Sequence, residues 1–222
     1  MSESTLPILS PLEARVLGVL IEKQFTTPDY YPLTINALVA GCNQKTSRHP
    51  VMNVTDAQVQ ATLDTLKRPT LVIDSYGASG RVMRYAHNVP KVLNIGQAMT
   101  ALLAVLILRG PQTAAELRAN CERLHQFADL SSVEAYVEDM ARRSAGALAA
   151  KLPRQPGSRE HRWAHLVSGP VASESVAAHA VDSPEEEEDL AALRNEVAQL
   201  RTEVAELRAQ VEQLRSPRAP DA

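Results

Sequence analysis

One order of predicted elements occurs twice along this chain of 222 residues. Each pass has three helical stretches followed by two short strands around a glycine-containing turn, and the passes cover roughly residues 10–90 and 95–168. Three helices and a hairpin in this order are the pattern of the winged helix, a helix-turn-helix followed by a β-hairpin called the wing. The sequence therefore predicts a mainly α fold with small β-hairpin wings (α+β), built as two tandem winged-helix domains.

Capping sequences mark where most of these helices begin. In a capping box, a Ser or Thr and a Glu or Gln three residues later bond reciprocally to backbone N–H groups of the first turn. The pattern occurs at Ser10/Glu13, Thr55/Gln58, Thr113/Glu116, Ser131/Glu134 and Ser183/Glu186. Together with apolar spacing, it predicts helices over residues 11–25, 34–42, 56–67, 95–109, 114–121 and 132–143. Segments bounded by turn residues predict strands over residues 71–74, 82–87, 148–152 and 160–167.

The end of the chain carries an unbroken heptad repeat. The core positions hold mostly valine at a and leucine at d: Leu190, Leu193, Val197, Leu200, Val204, Leu207, Val211 and Leu214. This choice of residues favours a parallel two-stranded coiled coil, predicted over residues 184–216 and followed by a disordered end over residues 217–222. Acidic g and arginine e positions, such as Glu196 and Arg201, pair between the two copies and so favour a homodimer.

Charge divides the chain into a mildly basic body and an acidic tail. Residues 1–170 hold 18 Lys and Arg against 14 Asp and Glu, whereas residues 171–222 hold 5 against 12. The balance in the body permits nucleic-acid binding without arguing strongly for it. We expect folded domains over residues 1–91 and 92–169, joined to the tail by a flexible linker over residues 170–183.

Nothing near the start of the sequence predicts export or membrane insertion. The first residues lack the basic and apolar stretches of a signal peptide, and the longest nearly apolar run, residues 98–108, is shorter than the ~20 residues that cross a bilayer. We therefore expect a cytoplasmic protein with no membrane partner. Cys42 and Cys121 lack disulfide-framework or zinc-site spacing, and His161 with His165 favours packing in a wing strand over metal binding. Since no catalytic motif occurs, we expect no enzyme activity, no cofactor and no metal.

DNA binding is the usual role of a winged helix, with the third helix in the major groove and the wing against the backbone. In the first domain, Gln60 and Arg68 are the candidate base contacts. The candidate phosphate contacts are cations of the neighbouring loop and of both wings: Lys45, Arg48, Arg81, Arg84, Arg154 and Arg159. Carboxylates on both third helices, such as Asp64 and Glu138, oppose phosphate and weaken this interpretation. The alternative is that these cations are scattered surface arginines and lysines.

Residues 42–53, with the sequence CNQKTSRHPVMN, separate the second and third helices, where a plain helix-turn-helix has only a few residues. The amide and cationic donors of Asn43, Gln44, Lys45 and Arg48 suit phosphate, a nucleotide or an acidic loop of another protein. The same amides are equally suited to bond the backbone of the segment and hold its shape. The sequence leaves both roles open, and they are not exclusive.

These residues also carry a resemblance to a known family. The stretches LSPLEARVLGVLIEK, YPLTINALVAGCNQKTSRHPVMN and RVMRY, with LLAVLILRGPQTAAELR and RQPGSREHRWAHLVSG in the second half, resemble the YceH family of uncharacterised bacterial cytoplasmic proteins. The resemblance covers about residues 9–169. It implies a pair of winged-helix domains in one chain, and it implies no established activity or catalytic residues. The heptad tail falls outside it, so the dimer prediction rests on the tail sequence alone.

Two functional hypotheses follow. The leading one is a dimeric, cytoplasmic, tandem winged-helix protein that binds double-stranded DNA as a regulator. The rival is a protein-interaction scaffold built on the same domains without DNA binding, which suits the acidic third helix of the second repeat. The expected partners are therefore a second copy of the chain, through the tail, and either DNA or another protein.

Removal of residues 184–222 should lower the oligomeric state, because the predicted dimer contacts lie in the heptad tail. Size-exclusion chromatography with light scattering measures the mass of the full-length and truncated proteins at equal molar concentration. We expect the mass of a dimer for the first and of a monomer for the second. The same oligomeric state in both would contradict the coiled-coil prediction.

Overall fold

The computed structural model describes residues 7–76, 82–154, 158 and 160–170. The predicted coiled coil, with its core from Leu190 to Leu214, lies outside the described residues, as does the predicted linker after residue 170. Within the described part, the fold is mainly α with two small antiparallel hairpins, which confirms the predicted fold class. The boundary between the two predicted domains stays a prediction.

Each half of the described chain contains three main helices and one hairpin. The first half consists of α1 (Pro11–Thr26), a 3₁₀ turn (Pro28–Tyr30), α2 (Ile35–Cys42), α3 (Asp56–Lys67), β1 (Val72–Tyr76) and β2 (Met83–His87). The second half consists of α4 (Val89–Leu93), α5 (Gln97–Arg109), α6 (Ala114–Cys121), α7 (Leu130–Arg142), β3 (Ala149–Lys151) and β4 (Trp163–His165). The sequence did not predict the 3₁₀ turn or α4, which are short and begin without a side-chain cap.

Side-chain caps fix the starts of the longer helices. The predicted capping boxes at Ser10, Thr55 and Thr113 are all formed, and each hydroxyl accepts a backbone N–H three residues later. The box predicted at Ser131 is wrong, because Asp129 caps α7 instead and its Oδ1 accepts the N–H of Ser132 at 2.7 Å. The carboxylate caps the helix from two residues earlier, so α7 begins before the predicted position. The fifth predicted box, at Ser183, lies outside the described residues.

Each hairpin is extended by one residue that precedes the second main helix of its half. Leu33 forms a β-bridge with Tyr85, and Gln112 forms the equivalent bridge with Trp163. In each half, an arginine precedes the bridged aromatic residue and a proline precedes the residue bridged to it. The arginine side chain donates a hydrogen bond to the carbonyl of that proline. Arg84 Nη1 donates to the Pro32 carbonyl at 2.8 Å, and Arg162 Nη1 donates to the Pro111 carbonyl at 2.7 Å. These repeated contacts join the wing to the helices and make both halves winged-helix-like.

Other residues occupy equivalent places in the two halves. Cys42 ends α2 and Cys121 ends α6, and burial raises the pKa of the two thiols to about 11 and about 12. Both are therefore protonated packing residues at neutral pH. His87 ends β2 and His165 ends β4, and burial lowers the pKa of each imidazole to about 4.

The two halves share one hydrophobic core, in which α1 packs against α5. Gly18 allows this close approach, because a Cβ at that position would lie 2.9 Å from Ile107 Cγ2 and 3.0 Å from Leu108 Cδ2. The most apolar helix, α5, is buried over most of its length. Among the described residues, no helix is long and apolar enough to cross a membrane.

Replacing Gly18 with alanine should destabilise the fold by about 1–3 kcal/mol, because the added methyl group overpacks the contact between α1 and α5. The gain in helix propensity, at most ~1 kcal/mol, acts in the opposite direction. Urea unfolding followed by circular dichroism gives the change. Gly96→Ser is the control, since nothing lies within 4 Å of a Cβ at Gly96. A Gly18→Ala variant as stable as the wild type would contradict the close packing.

Candidate functional site

The segment between α2 and α3, residues 43–55, is longer than its equivalent in the second half, residues 122–129. We call residues 43–55 the inter-repeat loop, because they lie within the first half but contact the second half. Arg48 lies at its centre with a side chain that is 0% exposed. Its Nη1 and Nη2 donate to the two carboxylate oxygens of Glu22 at 3.0 and 2.6 Å, and its Nε donates to the Gly41 carbonyl at 3.0 Å. This bidentate pair anchors the loop to α1.

Glu22 is held as a carboxylate by this contact. Burial alone raises the pKa of Glu22, but the hydrogen bonds and charge of Arg48, together with Lys23, outweigh burial and lower the pKa. The side chain of Glu22 is only 15% exposed. A buried ion pair of this kind has little net stability, yet the loss of one partner leaves the other charge uncompensated.

A second buried arginine bonds the backbone on both sides of Arg48, at Cys42 and at Pro50. Arg15 is 2% exposed, and its Nη1 and Nη2 donate to the carbonyls of Cys42 and Pro50 at 3.1 and 2.6 Å. Burial and then the neighbouring charge of Arg48 lower the pKa of Arg15. Arg15 thus holds the two ends of the turn together from inside the protein.

The inter-repeat loop also contacts the second half of the described chain. Arg109 Nη2, at the end of α5, donates to Ser47 Oγ at 2.7 Å. The His49 N–H donates to the Leu108 carbonyl, also at 2.7 Å. The loop therefore joins α1 to α5 through polar contacts, alongside the apolar contact at Gly18.

The predicted binding residues in this loop have mostly structural contacts. Asn43 forms two hydrogen bonds with the Val54 backbone, at 2.8 and 2.7 Å, and Gln44 Nε2 donates to the Thr46 carbonyl at 3.0 Å. With Arg48 buried, these contacts support the loop-shaping role that the sequence left open. Lys45 is exposed, so among these four residues its side chain is the one placed to meet a ligand.

The predicted contacts on the first third helix are divided in the same way. Gln60 Nε2 donates to Asp64 Oδ1 at 3.2 Å, and its Oε1 accepts the hydroxyl of Tyr85 at 3.1 Å. Arg68, at the end of α3, is exposed. Only Arg68 of the two predicted base contacts is therefore presented to solvent without a side-chain partner among the described residues.

The predicted contacts on the wings are also partly engaged. Arg84 bonds the Pro32 carbonyl as described, and Arg154 Nε donates to His161 Nε2 at 3.0 Å from an exposed position. Arg81 and Arg159 lie outside the described residues. The structure thus scatters the predicted residues over the loop, α3 and both wings and does not gather them into one cluster.

Exposed carboxylates lie on both third helices. On α3, Asp56 and Asp64 are exposed. On α7, Glu134 and Asp139 are exposed, while Glu138 is half-buried and bonds Arg142 at 2.7 Å. The α7 face is net negative, whereas on α3 the two carboxylates are offset by Lys67 and by the exposed Arg68 at its end.

Exposed apolar side chains lie around the first wing, and the sequence did not single them out. Tyr30 is 75% exposed, Tyr76 is 69% exposed and Val82 is 53% exposed. A signal was present, because Tyr76 and Val82 flank the wing turn, where polar residues are usual. A separate groove of about 480 Å³ lies between α6 and the start of α7, lined by Ala115, Arg118, Ala119, Glu122, Gln126, Phe127 and Leu130.

The chain matches the model of one protein family over residues 9–158, described as "Protein of unknown function, DUF480". A UPF0502 protein of Burkholderia thailandensis is 61% identical over 173 residues, which are 78% of this chain and 73% of the relative. A UPF0502 protein of Dechloromonas aromatica is 57% identical over 178 residues, covering 80% and 82% of the two chains. One of Leptothrix cholodnii is 55% identical over 192 residues, covering 85% of each chain.

Glu22→Gln should destabilise the protein by about 3 kcal/mol at neutral pH, because it leaves the charge of Arg48 buried without a counter-ion. The folded-state pKa of Glu22 lies below its ordinary value of 4.5, so the pair contributes fully above that pH. Its contribution is lost as the pH falls through the folded-state pKa. Urea unfolding at pH 7 and at pH 3 measures both effects, and the difference from wild type should shrink at pH 3.

Glu122→Gln is the matched control, since Glu122 is exposed and has no ion pair among the described residues. Its unfolding free energy should stay within about 0.5 kcal/mol of wild type. Equal stability of the Glu22→Gln variant and this control would show that the ion pair does not hold the inter-repeat loop.

Proposed function

Because the chain belongs to the DUF480 family, whose description states no function, we propose its role from its own surfaces: a non-catalytic protein-interaction module of winged-helix-like repeats. The observation that carries this proposal is the presence of exposed carboxylates on α3 and α7, with a net negative charge on the α7 face. In the usual DNA-binding mode of a winged helix, these faces enter the major groove beside phosphates. A carboxylate is repelled there, whereas a basic surface of another protein attracts it.

The contacts of two predicted phosphate-binding residues, Arg48 and Arg84, support the same proposal. Arg48 is enclosed by Glu22 and backbone carbonyls, and Arg84 bonds the Pro32 carbonyl. All three nitrogens of the buried Arg48 donate to protein acceptors, so Arg48 must break those bonds to reach a phosphate, at a cost that offsets the new contact. These two cations are thus used within the fold.

The apolar surface of the first wing provides the second support. Large exposed aromatic side chains such as Tyr30 and Tyr76 are enriched at protein–protein interfaces, where they bury area with little loss of rotamer freedom.

The proposed module acts as a homodimer through the heptad tail, in the cytoplasm. Two copies joined in parallel present each interaction surface twice, so a partner with two matching sites binds with higher avidity than either surface alone provides. Both the dimer and the location are predictions from the sequence.

Duplex DNA is the second candidate ligand. It is favoured by the tandem winged-helix architecture that the resemblance to the YceH family implies, and by three predicted cations that are exposed in the structure, Lys45, Arg68 and Arg154. These cations lie on different elements. A DNA-binding mode that uses them is therefore carried by backbone contacts, with little base recognition.

The full-length protein should not bind a fluorescent random-sequence duplex at physiological salt, because the third-helix faces repel phosphate. Fluorescence anisotropy at low and at physiological salt measures this. Each phosphate contact contributes about −0.9 to the slope of log affinity against log salt. Tight binding with a slope equivalent to several contacts would overturn the proposal and make DNA the primary ligand.

Two charge-reversed variants locate the cause of the repulsion. Asp56→Lys/Asp64→Lys should gain salt-dependent DNA binding if the α3 face is what excludes the duplex. Glu122→Lys/Glu160→Lys changes the net charge equally, at exposed residues away from that face, and should gain much less. Equal gains in both variants would mean that total charge, and not the third helix, controls binding.

A further inference from the structure

β1 is the outer strand of the first hairpin, and its free edge has a definite backbone pattern. Tyr85, on β2, exchanges both backbone hydrogen bonds with Leu33, at 2.8 and 3.1 Å, on the side away from β1. Asp74 is the Cα partner of Tyr85 in the hairpin. Residues opposite each other alternate between bonded and non-bonded pairs in an antiparallel ladder. The N–H and C=O of Asp74 therefore point away from β2, toward the open edge.

This edge is available to another strand. Among the described residues, the backbone of Asp74 has no hydrogen-bond partner. Unpaired N–H and C=O groups along an edge are a template for pairing with a further extended segment. An extended peptide that adds to β1 would pair with the backbone of Asp74 and continue the order Leu33, β2, β1 by one strand.

Apolar side chains lie on both faces beside Asp74. Ile73 is 42% exposed on one face, and Tyr76 is 69% exposed on the other, because alternate residues of a strand point to opposite faces. These side chains gain burial when a further strand places aliphatic residues next to them. Backbone pairing and side-chain burial thus favour the same occupant, an extended segment with apolar residues at alternate positions.

Charge specifies the side chain opposite Asp74. The ammonium of Lys67 lies 2.8 Å from Asp74 Oδ1 and 3.5 Å from Asp64 Oδ1, so one cation is shared by two carboxylates. The cluster of Asp64, Lys67 and Asp74 therefore carries a net negative charge, which attracts a Lys or Arg on the added strand. Antiparallel pairing of two copies centred on β1 instead places Asp74 opposite its own equivalent, and like charges directly opposite are destabilising.

We propose that β1 is the docking edge for an extended segment of a partner protein, which carries Lys or Arg opposite Asp74 and aliphatic side chains on the face of Ile73. This inference rests on the proposed role as a protein-interaction module, and it names where and what that module binds. The backbone contributes the pairing, while Asp74 and Ile73 select the sequence of the partner.

The probe is a fluorescein-labelled peptide of sequence Val-Thr-Val-Lys-Val-Thr-Val, which has Lys on one face and Val on the other when extended. Anisotropy measures its binding to the full-length protein. Asp74→Pro removes the outward N–H but keeps the inward ladder, and Pro is tolerated at an edge whose N–H faces solvent. We expect at least about tenfold weaker binding to this variant, since a lost backbone bond and a lost charge act together.

Two controls separate backbone from charge and do not depend on the folding of the proline variant. Asp74→Asn should remove the preference for the Lys peptide over an otherwise identical Glu peptide. A Lys peptide with alternate backbone amides N-methylated should bind the wild type at least about tenfold more weakly, because it cannot form the ladder. Slower hydrogen exchange of the Asp74 amide in the presence of the unmethylated peptide locates the contact.

Binding of the Lys peptide that is unaffected by N-methylation and by Asp74→Pro would overturn the docking edge. So would the absence of binding up to millimolar peptide. Neither result bears on DNA binding, so either one would refute the docking edge without refuting the proposed protein-interaction module. Tight DNA binding in the earlier titration instead removes the protein-interaction module itself, whatever the peptide does.

Discussion

The buried pair between Arg48 and Glu22 is the contact on which the arrangement of the two halves depends. Arg48 is fully covered, so its charge is tolerated only with the carboxylate and the surrounding carbonyls in place. That requirement fixes the inter-repeat loop against α1. Fixed there, the loop reaches α5 through Ser47 and His49, while Gly18 brings the two helices into van der Waals contact. Apolar packing supplies the driving force, and the ion pair selects one geometry.

The two halves repeat their local contacts but differ where they meet. Thr34 and Thr113 cap equivalent helices, and Arg84 and Arg162 bond equivalent prolines. Each of these contacts lies within one half, so each half holds its wing with its own residues. The inter-repeat loop has no counterpart of equal length in the second half, and it carries polar contacts to α5 through Ser47 and His49. Asymmetry in one loop thus converts two similar units into a single packed body.

The proposed function depends on which charged side chains remain exposed to solvent. Two of the cations that suggest DNA binding in the sequence, Arg48 and Arg84, hold a loop and a wing. Several carboxylates of the third helices stay exposed, as do Lys45, Arg68 and Arg154. The surface that results is acidic on the helices and partly apolar around the first wing. Those properties favour contact with another protein, and the open edge of β1 provides a place where backbone pairing does not require a particular sequence.

The sequence by itself determined the six main helices, most of their starts and the two hairpins, because capping, apolar spacing and turn residues act within a few positions of one another. Only the tertiary structure decided the role of each cation. Lys45 and Arg48 lie in the same loop, yet one is exposed and the other is buried against Glu22, 26 residues earlier. Burial and ion pairing depend on residues distant along the chain, so no local pattern distinguishes a cation that binds a ligand from one that holds the fold.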